Sequence, residues 1–427
     1  MKKSVFAMLL LLSFAVSACG RYEAPREPAS QTSSSFSSEP QAVKPAESDP
    51  KLLSDYEFLW DTIEENYPYM GVFERVTQKD AQAVKQKYEE LLPSIHSTGD
   101  FFDKIVYPCL REFEYTGHLS ALDPAEYLRQ STILKQLLEQ DGALSAYSQY
   151  NFDQFNLYST LGFYGKYRVY DIANASAPKP ENNIAFEFFP ESATACVSVK
   201  SMTLPYENDD AAALKNFFLQ IEREGYQHCI IDIRENSGGS DSYWMSNIVS
   251  PNLAAELSYR YYAFVKNGEI SQTATELFGC RFEPISSFPK DEFSNLNLDD
   301  LNAADGYLVS EFAIRPDGPE PGSRLFNGKM WVLIGRRVYS SSESFAQFCK
   351  RTGFATLVGT PTGGDGMGFA PLIVSLPYSG ICIQFRTMAP LNCDGSNNEE
   401  FGTAPDILIS EGEDALTRCL EEILKGQ

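Results

Sequence analysis

Apolar side chains recur at intervals of three and four residues in the region that follows residue 50. This spacing places them on one face of a helix, and the first run ends at Pro68, which cannot extend a helix. Its apolar positions are Leu52, Tyr56, Leu59, Ile63 and Tyr67. Two more helical patterns follow over residues 81–92 and 101–113. The pattern predicts a small helical domain over residues 51–125.

The apolar pattern is weaker over the next 65 residues or so, which we treat as a small connecting region over residues 126–190. Residues 128–144 have helical composition. Residues 161–169 have the composition of a strand that contains glycines. No internal repeat is evident here.

From about residue 194 the chain alternates between short apolar runs and helical patterns. Strand-like runs and helices follow one another, which implies right-handed crossovers and parallel strand pairs. The predicted strands are 195–199, 229–233, 330–334, 355–358, 372–376 and 381–386, and the predicted helices are 210–224, 341–350 and a final one carrying Leu416, Leu420, Ile423 and Leu424. We predict an α/β core of mixed sheet and helices over residues 191–427.

The amino terminus has the pattern of an export signal. Lys2 and Lys3 precede an apolar run that is too short to be a bilayer-spanning helix. The residues Val-Ser-Ala-Cys ending at Cys19 resemble a bacterial lipobox, which implies that Cys19 carries lipid and becomes the mature terminus. An ordinary cleaved signal over residues 1–19 is the alternative. Either interpretation predicts an exported protein, and the first predicts one anchored by lipid on the extracytoplasmic face of the cell membrane.

Residues 20–50 are rich in Ser, Pro and Glu and have no apolar period, so they are predicted to form a disordered tether. The remaining chain can bury a large core, since 43% of the 427 residues are hydrophobic. The formal charge is −23, and removal of Lys2 and Lys3 with the signal leaves −25. This charge argues against nucleic acid as a partner. The sequence does not determine the oligomeric state.

The cysteines and histidines give no pattern for a metal site. Eight cysteines follow Cys19, scattered without a C-x-x-C pair or a histidine at ligand spacing. Export permits disulfides, but the spacing does not pair them. We expect neither a metal nor another cofactor.

Three serines stand where a buried strand becomes a helix. Residues 338–343 read V-Y-S-S-S-E and follow the apolar run 330–334. Amide groups at the start of a helix have no partners within it, and the helix dipole is positive there. An acyl-transfer enzyme can use a hydroxyl in this position as its nucleophile, although a serine here can also simply cap the helix.

A glycine turn follows an earlier buried strand. Residues 232–239 read D-I-R-E-N-S-G-G, and the absence of side chains lets backbone amides approach a ligand closely. Such amides can form an oxyanion hole. A tight turn that needs positive φ is the structural alternative.

These segments, together with L-V-G-T-P-T-G-G at 357–364 and E-E-F-G-T-A-P-D at 399–406, resemble the C-terminal-processing and tricorn-type serine peptidase family. The resemblance implies a crotonase-like α/β core and a nucleophile three residues before a glutamate. That serine is Ser340, with Glu343 as the marker and Ser341 and Ser342 as rivals. The resemblance also implies that the amide of Ser341 and that of Gly238 or Gly239 form the oxyanion hole.

A serine nucleophile needs a general base, because its hydroxyl is nearly unreactive until a base takes its proton. Tail-processing members of the family use a lysine where this chain has Asp365, so a serine and lysine pair is excluded. The tricorn-like branch takes a histidine from the helical amino-terminal region. His118 lies in a similar glycine-histidine segment and is our predicted base; His96 and His228 are more ordinary surface or strand-end residues.

By the same resemblance, Glu399 is the carboxylate that orients the imidazole, and Glu400 is its rival. A solvated acidic turn is the alternative for both. A triad of His118, Ser340 and Glu399 in that chain order is acceptable, because triads are defined by geometry.

The predicted function is that of a lipid-anchored serine peptidase that cleaves peptides or unfolded protein through an acyl-enzyme. The connecting region 126–190 lacks a clear PDZ module, so recognition of protein C-termini is not implied. The alternative is a catalytically inactive protein that binds a ligand or peptide on the same scaffold, since fold alone does not establish chemistry.

Overall fold

The computed structural model describes residues 48–141, 145–167, 182–317 and 322–426. The predicted signal peptide and nearly all of the predicted tether lie outside these residues. The helices within them are α1 (Pro50–Asn66), α2 (Met70–Thr77), α3 (Ala81–Glu89), α4 (Thr98–Phe101), α5 (Tyr107–Arg111), α6 (Pro124–Asp141), α7 (Ala146–Phe155), α8 (Tyr158–Tyr164), α9 (Leu204–Arg223), α10 (Asp241–Trp244), α11 (Glu269–Leu277), α12 (Leu298–Ala303), α13 (Ser341–Thr352), α14 (Asn398–Phe401) and α15 (Ala415–Lys425).

The strands of the described residues form three sheets. In chain order they are β1 (Ser120–Ala121), β2 (Ile184–Phe189), β3 (Thr194–Val199), β4 (His228–Asp232), β5 (Leu257–Val265), β6 (Glu283–Pro284), β7 (Gly306–Ile314), β8 (Lys329–Ile334), β9 (Thr356–Gly359), β10 (Leu372–Ser375), β11 (Cys382–Phe385), β12 (Met388–Pro390) and β13 (Ile407–Leu408). The fold is mixed α/β.

The largest sheet has six strands in the order β13-β9-β8-β4-β3-β2. Its neighbours are parallel except for β2, which pairs antiparallel with β3. The parallel strands β3, β4, β8 and β9 are almost fully buried, as is usual when helices cover both faces. The carboxyl ends of β4 and β8 therefore emerge side by side, at the glycine turn and at the serine turn.

Two antiparallel sheets complete the fold. One has the order β12-β5-β7-β6, and the other has the order β1-β11-β10. In the second, Ser120 pairs with Gln384 and Ala121 with Ile383. This pairing matters for the site, because it fixes the chain directly after His118 against the carboxyl-terminal part of the molecule.

The amino-terminal helices share a hydrophobic core with that small sheet. Buried side chains from α1, such as Leu59 and Trp60, belong to the same cluster as Ile373 of β10 and Ile383 of β11. A second cluster fills the space between the six-stranded sheet, the four-stranded sheet and α9 and α13. A third lies under α15 on the other face, where Ala415, Cys419 and Ile423 are buried.

Most elements agree with the sequence pattern, with one wrong assignment. Residues 158–164 form α8, whereas a strand was predicted over 161–169, of which residues 168 and 169 lie outside the described chain. The buried residues of α8 are Thr160, Phe163 and Tyr164, so helical spacing on one packed face outweighs the strand propensity of the aromatic residues. The long strands β5 and β7 were not predicted, although they pair over nine residues.

No helix in the described part of the chain has both the length and the apolarity needed to cross a bilayer. The eight cysteines after Cys19 are all described and all free.

Candidate active site

Ser340 occupies a strained turn between β8 and α13. Its backbone has φ 56° and ψ −120°, a conformation that non-glycine residues rarely adopt and that is often found at functional positions. It stands at the N-cap position of α13, but its side chain does not cap the helix. Its amide donates to the Gly364 carbonyl at 3.2 Å. The capping alternative therefore does not account for Ser340.

The neighbouring serines have different surroundings. The Ser342 hydroxyl donates to the Asn236 carbonyl at 2.7 Å and accepts from the Tyr339 amide at 3.1 Å, so it ties the serine turn to the glycine turn. The Ser341 hydroxyl is buried and has no hydrogen-bond partner among the described residues. The structure thus gives Ser342 a structural role and leaves Ser340 and Ser341 without one.

The glycine turn lies against the serine turn. A Cβ placed on Gly238 would lie 2.8 Å from the Tyr339 carbonyl and 3.1 Å from the Ser341 amide nitrogen, so only glycine fits there. The Gly238 amide itself donates to the Asn236 side chain at 2.8 Å. Among the hydrogen bonds of the described residues, none uses the amide of Gly239 or of Ser341. Of the three predicted oxyanion residues, these two keep their donors free.

His118 is held in an unusual turn by the amino-terminal helices and by β11. Gly117 and His118 have φ of 54° and 61°. The Gly117 carbonyl accepts from the Arg386 amide at 2.9 Å, and a Cβ on Gly117 would lie 2.5 Å from the ring of Tyr69. The preceding carbonyl, of Thr116, accepts from the Tyr67 hydroxyl at 2.7 Å. Parts of the chain far apart in sequence thus converge to place the imidazole.

The imidazole of His118 lies beside the residue that precedes Ser340. Its ring stacks on that of Tyr339, with centroids 5.3 Å apart and planes at 24°. Nδ1 contacts the carboxylate of Asp365. Nε2 is buried and has no hydrogen-bond partner in the described chain, so no direct bond to the Ser340 hydroxyl is formed. Catalytic hydrogen bonds often close only when the substrate binds.

Asp365 is the centre of a buried polar cluster. Besides His118, its carboxylate accepts from the Tyr69 hydroxyl at 2.9 Å, from Arg386 Nη1 at 3.1 Å and from the Tyr339 hydroxyl at 3.3 Å. Asp365 is fully buried and Arg386 is 2% exposed. The cluster therefore holds a buried ion pair whose carboxylate also faces the imidazole.

Glu399 does not reach the imidazole through a hydrogen bond. Its carboxyl accepts from the Tyr339 hydroxyl at 3.2 Å, and the backbone amide of Gly117 favours its charged form. Glu400, its predicted rival, points elsewhere and forms a bidentate ion pair with Arg75 at distances down to 2.7 Å. The structure thus places Glu399 near the site as a partner of Tyr339 and of the turn before His118.

Burial and neighbouring charges shift the pKa values of His118, Asp365 and Glu399. Burial lowers the pKa of His118 below its ordinary value, although Asp365 favours the charged ring. Burial alone would raise the pKa of Asp365, but Arg386 and His118 outweigh it, and the pKa lies below its ordinary value. Burial and the charge of Asp365 raise the pKa of Glu399 well above its ordinary value. These shifts favour a neutral imidazole, an ionised Asp365 and a protonated Glu399.

The marker Glu343 lies on the buried side of α13. Its Oε1 accepts from Asn398 Nδ2 at 2.7 Å and from the Thr403 hydroxyl. The same Asn398 side chain accepts from the Gly366 amide at 2.8 Å. Burial raises the pKa of Glu343 to about 7. Glu343 and Asn398 therefore connect the nucleophile helix to the loop that carries Asp365 and to the helix that carries Glu399.

Roles for Tyr69, Tyr339 and Arg386 were not predicted from the sequence, and Asp365 was interpreted only as a replacement for lysine. A charged residue at the end of the apolar run 381–386 was the one available signal for Arg386. His96 is exposed, and His228 accepts from the Trp331 indole at 3.3 Å at the start of β4. Within the described ranges, no group of three His, Cys, Asp or Glu side chains is arranged to hold a metal ion.

Several solved structures are similar to this chain over most of its length, and the first of them has a similar fold. A candidate peptidase from Parabacteroides merdae ATCC 43184 is 18% identical with a TM-score of 0.52, and the match covers 88% of this chain and 98% of that one. A lipoprotein from Streptococcus agalactiae is 14% identical with a TM-score of 0.46, covering 88% and 97%. The photosystem II D1 C-terminal processing protease is 13% identical with a TM-score of 0.43, covering 85% and 93%. A comparison with curated proteins found no significant match.

The model of peptidase family S41 matches residues 193–409, slightly more than half of the chain. This range contains the glycine turn, the serine turn, Asp365 and Glu399. The chain therefore belongs to peptidase family S41, the tail-specific family of serine-type peptidases.

Proposed function

We propose that this protein is a lipid-anchored serine peptidase on the extracytoplasmic face of the membrane, with a crotonase-like core, and that it cleaves peptides or unfolded protein. Ser340 is the nucleophile and His118 the general base. The observation that carries this proposal is the buried imidazole stacked beside the strained Ser340 turn, with Nε2 free to accept a proton.

In the proposed reaction, the Ser340 hydroxyl oxygen bonds to the carbonyl carbon of the peptide while His118 Nε2 takes the hydroxyl proton. The carbonyl oxygen becomes an oxyanion, and the amides of Gly239 and Ser341 stabilise it. When the tetrahedral intermediate collapses, the carbon–nitrogen bond breaks and Nε2 returns the proton to the leaving amine. Water then releases the acyl group, with His118 again acting as base and acid.

The direct test is to trap the nucleophile covalently. A fluorophosphonate probe should add to one serine of the purified protein, and peptide mass mapping should place the adduct on Ser340. Preincubation with an unstructured peptide substrate should slow the labelling. An adduct on Ser341 would assign the nucleophile to the rival serine. A protein that neither labels nor cleaves peptides would instead fit the ligand-binding alternative.

The anchor is tested separately by Cys19→Ala. A lipid anchor adds about 0.8 kcal/mol of membrane affinity for each buried methylene, so its loss should release the protein. We expect the wild type in the membrane fraction, labelled by radioactive palmitate, and the variant unlabelled and soluble. Equal partitioning of the two proteins would contradict lipid anchoring. The peptidase proposal would be unaffected by that result.

A further inference from the structure

We propose that Asp365, and not Glu399, is the positioning residue that orients His118 for catalysis, an inference that rests on the proposed function. The carboxylate of Asp365 contacts His118 Nδ1, whereas the carboxyl of Glu399 accepts from the Tyr339 hydroxyl. A neutral imidazole carries its proton on the nitrogen that faces an acceptor. The Asp365 contact therefore sets the tautomer that leaves Nε2 as the proton acceptor.

Arg386 keeps Asp365 in the form that this role requires. Its guanidinium donates to Asp365 Oδ1 at 3.1 Å, on the oxygen that does not face His118, and to the Met367 carbonyl at 2.8 Å. The Tyr69 hydroxyl also donates to Oδ1. Two donors thus hold one oxygen, while the other remains directed at the imidazole. These contacts favour the ionised form of Asp365 and hold its carboxylate in one orientation.

Tyr339 connects the two carboxyl groups and explains why only one of them is ionised. Its hydroxyl oxygen lies 3.3 Å from Asp365 Oδ2 and 3.2 Å from Glu399 Oε2, and its single proton can be donated to only one of them. Two carboxylates sharing a buried site cannot both ionise easily. A protonated Glu399 can donate to the phenol oxygen while Tyr339 donates to Asp365. All three groups are then satisfied.

The arrangement also accounts for charge and protons during the reaction. Before attack, Asp365 and Arg386 cancel each other, and His118 and Glu399 are neutral. When Nε2 takes the proton of Ser340, a positive charge appears on the imidazole next to Asp365, which stabilises it. Asp365 keeps its charge throughout, and no further proton moves. Asp365, which stands at the position of the family's lysine, thus stabilises the protonated form of His118 through the Nδ1 side of the ring.

The test compares Asp365→Asn with Glu399→Gln. An asparagine amide can donate to Nδ1 and so favour the wrong tautomer, and we expect kcat to fall about 10³- to 10⁴-fold with KM within about threefold. Glu399→Gln replaces a neutral acid by a neutral amide and should lower kcat less than about tenfold. Similar losses in both variants, or a larger loss in Glu399→Gln, would overturn the proposal.

The pH dependence of kcat/KM is a second measurement, and a merely structural role of Asp365 would not change it. The ionisable groups around the pair are Arg386, Glu399 and the phenols of Tyr67, Tyr69, Tyr115 and Tyr339. Since Asp365 favours the charged imidazole, its neutralisation should lower the pKa of His118 and move the acid limb of kcat/KM to lower pH. Glu399→Gln should leave that limb in place. If the acid limb of kcat/KM stayed at the same pH in Asp365→Asn, direct contact between Asp365 and His118 in solution would be contradicted.

Asp365→Asn leaves Arg386 buried without its ion partner, which can destabilise a protein by about 3–5 kcal/mol. The double variant Asp365→Asn with Arg386→Gln removes both charges and keeps the test interpretable if the single variant does not fold. We expect the folded double variant to show the same fall in kcat. If the double variant kept the wild-type kcat, the positioning role of Asp365 would be refuted. If the fluorophosphonate probe did not label Ser340 in the wild-type protein, the proposed peptidase function itself would be refuted.

Discussion

Replacing Ser340 by alanine is expected to lower kcat for peptide hydrolysis by about 10⁴- to 10⁶-fold, because the acyl-enzyme can no longer form. The residual rate should come from substrate binding and from the amides of Gly239 and Ser341. The measurement is steady-state cleavage of an unstructured peptide by the full-length protein, with the thermal unfolding midpoint as a check on folding. The Ser340 side chain makes no capping hydrogen bond, so that midpoint should change little.

The matched control is Ser341→Ala, which removes a buried hydroxyl without a partner in the described chain and should retain most activity. Ser342→Ala removes hydrogen bonds to Asn236 and Tyr339 and should lower stability by about 1 kcal/mol. If Ser341→Ala were inactive and Ser340→Ala active, the nucleophile would be the following residue. Activity in both variants would point to a contaminating peptidase.

His118→Gln is expected to lower kcat by about 10²- to 10⁴-fold, because Ser340 loses its proton acceptor. Residues that act as one unit have non-additive effects, so Ser340→Ala combined with His118→Gln should be no slower than Ser340→Ala alone. In the wild type, kcat/KM should rise with pH through the pKa of His118, which burial holds below its ordinary value. Activity should therefore be complete near neutral pH and be lost in acid as the imidazole takes a proton.

The other two histidines provide controls for that variant. His96→Gln changes an exposed loop residue, and His228→Gln changes one that accepts a bond from Trp331 at the far end of β4. Both should keep kcat close to the wild-type value. A histidine-independent reaction, with His118→Gln as active as these controls, would exclude the imidazole as base and leave the mechanism without one.

The sequence pattern predicted the core of the six-stranded sheet well. The runs at β3, β4, β8 and β9 are mostly apolar, as is usual for strands covered on both faces, and the helices between them have one apolar face. The strand predicted over 161–169 was wrong because the burial of α8 depends on what packs against it. β5 and β7 stabilise each other through nine paired residues that lie far apart in sequence.

The candidate site could also be predicted in part from the sequence pattern. Ser340, the glycine turn and His118 stand in short segments whose glycines and serines favour tight turns. Such turns can be recognised from neighbouring residues. Local sequence could not distinguish Glu399 from Glu400, because adjacent acidic residues differ only in what surrounds them. Arg75 pairs with one and Tyr339 with the other.

The class of fold, the family and the two turns at the ends of β4 and β8 could be predicted from the amino-acid sequence, because they depend on apolar spacing and on residues close together in the chain. Which carboxylate meets the imidazole depends on how the whole chain folds. His118 and Asp365 are 247 positions apart, and their contact requires β1 to pair with β11 and Arg386 to be buried beside them. Whether a buried carboxyl is ionised depends on its neighbours in space, and the order of residues along the chain does not specify them.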